Sequence, residues 1–579
     1  MEDIAAHNRA FLDSHFPGLS VHLVAPHKIS NFTFSTDPYP NILHGGKPLH
    51  ARKNPGREAL NLVKDIPTRP GIVVLFLGLG LGYQVQTYRE RYPESFEAST
   101  VVVVERSAET FSLLCEHRDL SFLEGTYLFV GDAADEVQSL IERLSALDFT
   151  GYRIVRLRGG SSLYPGYYGR IEGIFREMLS GKISDLLTRF AFESLWVRNI
   201  VDNLPSLVGR QSIGALKGAL SGKPVLVINA GPSLYEQLNL IRQVHHRVHL
   251  IAVDTVLTPL LKSGTVPDFV VTLDAGFYNA LDFRWLFMQQ ADAAGMHLVA
   301  DIVSHPLILR NWKGALSFSE TSHRESSAVP QESTHLPLLD QFRQCYPSLH
   351  TLDCGGSIST TALELALFMD ARPVYVTGLD LSYTGYKTHV NSTALFDELY
   401  RAAHRLSTLD SAMVRSILGR RRQYLPAIGG DSVLSDFVFM QYLRWLEARS
   451  AYRGTVVNCT ARGARISGLV HRSLWEVAGG TTLPRRKGDL EVGEADTLSQ
   501  TEALGFLEAL GSSIDRALED IERHETPQSL AARYRAFSSL ILEAQKLHGS
   551  TESLYRYLRL LLEFMKKHVH RSRSRILQT

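Results

Sequence analysis

Pro224-Val225-Leu226-Val227-Ile228-Asn229-Ala230-Gly231-Pro232-Ser233-Leu234 is the stretch on which the reading of this chain turns. The apolar run has no polar face, so it fits a strand covered on both sides, as in a parallel sheet. At Asn229 it gives way to turn-forming residues. Gly231 permits a sharp turn, Pro232 suits a first helical position, and Ser233 can cap or donate. A helix starting there exposes free N–H groups and the positive end of its dipole, a natural phosphate site. Asn229, Gly231, Pro232 and Ser233 are therefore candidate nucleotide contacts. A structural turn with a capped helix is the competing reading of the same residues.

The pattern recurs downstream. Apolar strands are expected at His249–Asp254, Phe269–Asp274, His297–Ala300, Pro373–Gly378 and Thr455–Cys459. Two of them end on an acid, Asp254 and Asp274, and Asp380 follows a third. In an open parallel sheet such ends line one crevice, where ligands bind. Three carboxylates there repel one another unless a ligand or cation uses them. Cys354-Gly355-Gly356-Ser357 opens a helix near Ser359–Met369, so Gly356 and Ser357 join the candidate contacts. Tyr383-Thr384-Gly385-Tyr386-Lys387-Thr388-His389 reads as a flexible loop just after Asp380. Tyr383, Tyr386 and Lys387 suit a departing phosphate, and His389 suits proton removal. A solvated surface loop is the alternative.

Upstream, Gly71–Leu77, Thr100–Val104 and Tyr127–Val130 read as three more buried strands. Gly78-x-Gly80-x-Gly82 follows the first and Glu105 closes the second. That spacing lacks the third glycine of the dinucleotide fingerprint, so a tight structural turn is expected there and no essential chemistry. The fold class is α/β: two Rossmann-like parallel-sheet domains followed by a C-terminal helical bundle. The expected boundaries are 1–165 for the N-terminal segment and first domain, 166–221 for a helical connector, 222–480 for the central catalytic domain and 489–579 for the helices.

The chain has 579 residues, 44% hydrophobic and 21% charged, with a net charge of +1. These are ordinary globular values, and no nucleic-acid footprint shows. Cys115, Cys345, Cys354 and Cys459 are scattered, with no C-x-x-C pair, which fits reduced thiols and gives no zinc or disulfide framework. No apolar run reaches the roughly 20 residues a membrane span needs. The acidic opening Met1-Glu2-Asp3 is unlike a signal peptide. A cytoplasmic protein is expected.

Together these segments resemble the bacterial motility-associated factors, which modify flagellin. The resemblance rests on Asn229–Leu234, Ala252-Val253-Asp254-Thr255, Pro267–Asp274 and Gly378–His389, in that order. Leu49-His50-Ala51-Arg52-Lys53-Asn54-Pro55-Gly56-Arg57-Glu58-Ala59 is similar to that family's N-terminal segment. The family implies transfer of a nonulosonic acid, of pseudaminic or legionaminic type, from a CMP-activated donor to Ser/Thr of flagellin. The central domain also resembles bacterial sialyltransferases, in which the matching turn, Ser/Gly loop and acid bind CMP, tyrosines hold the leaving phosphate and a histidine is the base. Here Gly356, Ser357 and Asp380 match, while Tyr383, Tyr386 and His389 stand at a different spacing. The same domain occurs in archaeal pterin pyrophosphokinases. An ATP-dependent pyrophosphokinase acting on a pterin-like alcohol therefore stays open, as does a flagellin-binding factor without catalysis. Whether a divalent metal is needed stays open too.

Overall fold

A computed structural model divides the chain into two compact units, Met1–Arg189 and Phe190–Thr579. The structure describes residues 2–68, 71–144, 151–289, 293, 295–322, 337–480, 483–484, 488, 490–534, 537, 541 and 551–578.

In the first unit, β1 (Phe32–Ser35), β2 (Asn41–His44) and β3 (Lys47–Pro48) form a small antiparallel sheet. β4 (Ile72–Leu77), β5 (Thr100–Glu105), β6 (Tyr127–Val130) and β7 (Gly151–Arg156) form a parallel sheet in the order β6-β5-β4-β7. Along β4 the side chains alternate between two cores. Ile72, Val74 and Phe76 enter one, Val73, Leu75 and Leu77 the other. With both faces buried, the strand needs no polar position, hence its unbroken apolar run. β7 pairs only with β4. As an edge strand it tolerates Arg153 and Arg156, and its mixed character explains why no strand was expected there.

The second unit is built on one large parallel sheet in the order β14-β13-β12-β11-β10-β9-β15-β18-β19. Its strands are β8 (Gln211–Ser212), which pairs with β13, then β9 (Val225–Ile228), β10 (His249–Val253), β11 (Phe269–Thr272) and β12 (His297–Asp301). They continue with β13 (Ala315–Ser322), β14 (Thr351–Asp353), β15 (Val374–Thr377), β18 (Val456–Asn458) and β19 (Val470–His471). Between β15 and β18 the chain inserts two helices, Ala394–Ala402 and Leu409–Leu418, an antiparallel hairpin of β16 (Arg422–Ala427) and β17 (Gly430–Asp436), and the helix Phe437–Ala448. The two faces of the sheet have different cores. Val270, Leu298 and Phe318 face one, Phe269, Val271 and Val299 the other.

The connector expected over 166–221 is mostly one helix, Pro165–Leu207, which ends before β8. The C-terminal region is helical, with helices at Gln500–Glu522, Pro527–Arg533 and Thr551–Gln578, and Thr526 caps the second as expected. It is not a core of its own. Phe506, Leu510, Leu558 and Leu562 lie in the same cluster as Val270 and Phe318, and Phe506 meets Phe342 edge-on at 5.1 Å. The apolar stripe of an amphipathic helix must be covered, and here one face of the sheet covers it. The C-terminal helices thus share a core with one face of the central sheet. Among the described residues, no helix is long and apolar enough to cross a membrane.

Candidate functional site

β9 leads to β10 on one side of the sheet, and its neighbour β15 leads to β18 on the other. The crevice of an open parallel sheet lies at the C-terminal ends of such a pair. The turn after β9 holds Asn229–Ser233, and the turn after β15 holds Gly378–Ser382. These two turns interlock. Gly231 N donates to Gly378 O at 2.8 Å. Ser233 donates twice to Asp380, from N at 2.9 Å and from Oγ at 2.7 Å. Gly231 has an ordinary φ of −59°, so its need for glycine is spatial. A Cβ there would overlap Asp380 Oδ1 and Gly378 O. Gly378 has φ +66°, and a Cβ on it would overlap Asn229 O.

Asp380 and Ser233 therefore satisfy each other as a clasp. That corrects the expectation that both side chains lie open to a nucleotide. Burial pushes the Asp380 carboxyl up to about 6, against the lowering effect of its bonds from Ser233. The helix expected to start at this turn begins only after it. Pro232–Glu236 is a single 3-10 turn, followed by the seven-residue helix Leu238–Val244. Asn229 donates from Nδ2 to Thr377 O at 3.1 Å, while its buried Oδ1 has no partner among the described residues.

At the next strand ends, Asp254 Oδ1 accepts from Thr255 N at 2.7 Å and from Thr255 Oγ1 at 3.1 Å. Its Oδ2 is buried without a partner among the described residues. Burial, then the charge of Asp274, pushes the Asp254 carboxyl above the ordinary range. Asp274 reaches solvent at the rim, and the dense packing around it raises its carboxyl as well. The third acid of this group is Asp282, raised by burial and then by Asp254. The expected trio thus splits: Asp380 belongs to the clasp, and Asp282 joins Asp254 and Asp274. Among the described residues, no three His, Cys, Asp or Glu side chains are placed to hold a metal ion together.

Ser357 caps the helix Ile358–Phe368, accepting from Ser359 N at 3.3 Å. Gly356, at φ +83°, passes under Tyr442, whose ring would stand 3.1 Å from a Cβ at that position. Tyr442 escaped the sequence reading. With Phe439 and Trp445 it repeats every three residues along Phe437–Ala448, the signature of a core-facing stripe. Its hydroxyl is pushed up to about 12, by burial first and then by Cys354, Asp274 and Asp436. It therefore sits where the Ser/Gly loop, the strand-end acids and the inserted hairpin converge.

The segment Tyr383–His389 is strapped down, contrary to the expected flexible loop. Tyr383 N donates to Leu434 O at 2.8 Å, and Ser435 Oγ donates to Leu381 O at 2.7 Å. Both partners lie on β17. The buried Tyr383 hydroxyl donates to the Asp436 carboxylate, which Arg420 also meets at 3.3 Å. Tyr383 is thus an anchor, a correction to its expected place at the phosphate. Gly385 at φ +63° and Tyr386 at φ +57° turn the chain, leaving Tyr386 63% exposed. Lys387 Nζ donates to Asn391 Oδ1 at 3.1 Å. Val390 N returns to Ala230 O at 2.8 Å, which brings His389 back to the turn after β9. Its Nδ1 is buried without a partner among the described residues. Burial, then the guanidinium of Arg420, lowers the imidazole to about 4, so it is neutral at physiological pH.

The glycine turn of the first unit is closed by its own chain. Glu105 accepts from Leu79 N at 2.8 Å, Gly80 N at 3.3 Å and Ser107 N at 2.9 Å. Leu81 N donates to His50 Nε2 at 2.8 Å. Burial holds the His50 imidazole below its usual value, in the neutral form able to accept that bond. The N–H groups a phosphate would need are occupied.

Residues 198–386 match the family described as 6-hydroxymethylpterin diphosphokinase MptE-like, which takes in both interlocked turns, the strand-end acids and the Ser/Gly loop. Across its whole length the chain superposes on the structure of the MAf glycosyltransferase from Magnetospirillum magneticum AMB-1, with a TM-score of 0.55 and 15% identity, covering 94% of that chain. The chain shares the fold of that structure. An uncharacterized protein of Treponema pallidum (strain Nichols) is 25% identical over 372 residues, 62% of this chain. A second from the same organism is 25% identical over 238 residues, 36% of this chain. The chain spans 61% and 57% of the lengths of these two curated relatives. The MAf-like fold with an MptE-like domain agrees with the resemblance drawn from the sequence.

Proposed function

We propose that the chain is a glycosyltransferase that moves a nonulosonic, sialic-acid-like sugar from a CMP-activated donor to Ser/Thr of flagellin in the cytoplasm, in support of motility. The carrying observation is His389, a neutral imidazole with a free buried nitrogen beside the switch-point turn. In this reading the acceptor hydroxyl gives its proton to His389, its oxygen bonds to the anomeric carbon, and the bond to the CMP phosphate breaks. Asn229, Gly231, Pro232, Gly356 and Ser357 line the donor side. Tyr442 and Lys387 stand near the departing phosphate, with preorganised donors supplying the electrostatic part of catalysis. The likeness to the MAf fold and the order of the motifs support this reading.

A second reading is supported by the description of the matched domain and by the Asp254–Asp274 pair. Two strand-end carboxylates, one with a free oxygen, suit a divalent ion carrying ATP, as in pyrophosphoryl transfer to a pterin-like alcohol. Thermal shift separates the two, because a ligand that binds the folded state raises its apparent stability. The glycosyltransferase reading expects a rise in Tm with CMP alone. A rise with Mg–ATP and none with CMP would overturn it. No response to either would favour a binding protein without catalysis.

A further inference from the structure

The helices and the hairpin inserted between β15 and β18 lie beyond the matched domain, which stops at residue 386. The insertion is tied to the crevice mouth at several points. Val390 reaches the turn after β9, β17 holds the His389 segment, and Arg284 pairs with Glu398 at 2.9 Å. Its exposed side chains are of an unusual composition for a solvated surface. Tyr400 is 68% exposed, Leu406 83%, Leu418 52% and Tyr424 73%. Arg401, Arg405, Arg415, Arg420, Arg421 and Arg422 are exposed among them, against the exposed acids Asp410 and Asp431; Asp397 and Glu398 are partly exposed, Glu398 meets Arg401 at 3.9 Å, and Asp436 meets Arg420 at 3.3 Å. Exposed apolar side chains beside excess positive charge mark a surface that gains by being covered. Tyrosine and arginine are also the residue types that dominate binding hot spots.

We propose that this insertion, 387–436, is a docking platform for an acidic polypeptide segment that carries the acceptor hydroxyl. The proposal rests on the glycosyltransferase reading for the hydroxyl, and on the platform's own chemistry for the rest. Exposed arginines select carboxylates by charge complementarity. The tyrosines and leucines offer contacts to apolar side chains interspersed with those acids. A segment lying on the insertion reaches the mouth of the crevice, because the same hairpin that presents Tyr424 also holds the segment bearing His389. A polypeptide fits this mixture better than nucleic acid, since the exposed aliphatic side chains Leu406 and Leu418 stand among the arginines and tyrosines.

The test uses the full chain and three fluorescein-labelled probes of about 20 residues or nucleotides. One is a peptide of Glu and Asp interspersed with Leu and Phe around a Ser-Thr pair. The second has Lys at every acidic position, and the third is a single-stranded oligonucleotide. The acidic peptide binds, and both Arg401→Glu/Arg405→Glu and Tyr400→Ala/Leu406→Ala weaken it at least about tenfold. The charge-reversed variant favours the Lys peptide. Equal binding of the two peptides, tighter binding of the oligonucleotide, or unchanged affinity in folded variants overturns the proposal. The CMP thermal shift is measured on the same proteins and stays at its wild-type value in the variants. Acidic-peptide binding without any CMP response defeats the transferase reading and leaves the platform standing. A CMP response without peptide binding does the reverse.

Discussion

His389 carries the most specific claim at the scale of single residues. General-base assistance is typically worth roughly 10²–10⁴-fold in rate. His389→Ala is therefore expected to lower sugar transfer by at least about a hundredfold while nucleotide affinity stays within a few-fold. Steady-state kinetics with a separate CMP titration checks both. The pH profile gives a second handle. A base lowered to about 4 is deprotonated across the neutral range, so the acid limb of kcat/KM lies well below the ordinary histidine value. Arg420→Gln removes one of the two causes of that lowering and moves the limb upward; a limb left in place would separate His389 from the measured rate. Gly231 makes a different kind of claim. A methyl group there collides with Asp380 and Gly378, so Gly231→Ala costs about 1–3 kcal/mol of stability by overpacking, read by denaturant unfolding.

Among elements, the interlocked turns show how far sequence carries. Strand, turn and acid were legible because both faces of the sheet are buried and apolar runs must then stop at turns. The partner of each polar side chain was not legible, since Ser233 and Asp380 lie far apart in the chain and meet only in the fold. The hairpin of β16 and β17 escaped for another reason. Its strands include Arg422, Pro426 and Asp431 and have one partner each, so they lack the apolar runs that mark the large sheet. It nonetheless turns the expected flexible loop into a held one. Asp254, which opens the helix Asp254–Lys262, and Asp282, which ends the helix Phe277–Asp282, make a pH prediction. Each carboxyl is raised in the folded state, so the stability it contributes is full below the unfolded value of about 4 and is lost as pH rises through the folded value. Asp254→Asn is expected to flatten the fall in Tm between about pH 5 and about pH 8, and to raise Tm at the upper end. A parallel fall in both proteins would show that Asp254 is not buried as the structure has it.

At the scale of the whole molecule, the proposed chemistry belongs to the second unit, and the glycine turn of the first has a structural role. Glu105→Gln replaces an oxygen that accepts two backbone N–H groups with a donor, so unfolding of the full chain should become easier by about 1–3 kcal/mol. CMP affinity should not change, and loss of CMP binding in the folded variant would place a nucleotide in the first unit. The two-sheet α/β plan was readable from the spacing of buried strands, whereas the merging of the C-terminal helices into the central core was not, because a helical stripe does not declare which surface covers it. Intact-mass measurement of flagellin incubated with the full chain and a CMP-activated nonulosonic acid tests the central claim most directly. The expected result is added masses of that sugar on Ser/Thr, one CMP released per addition, and neither with His389→Ala. Unmodified flagellin from the folded, CMP-binding wild-type protein would contradict it.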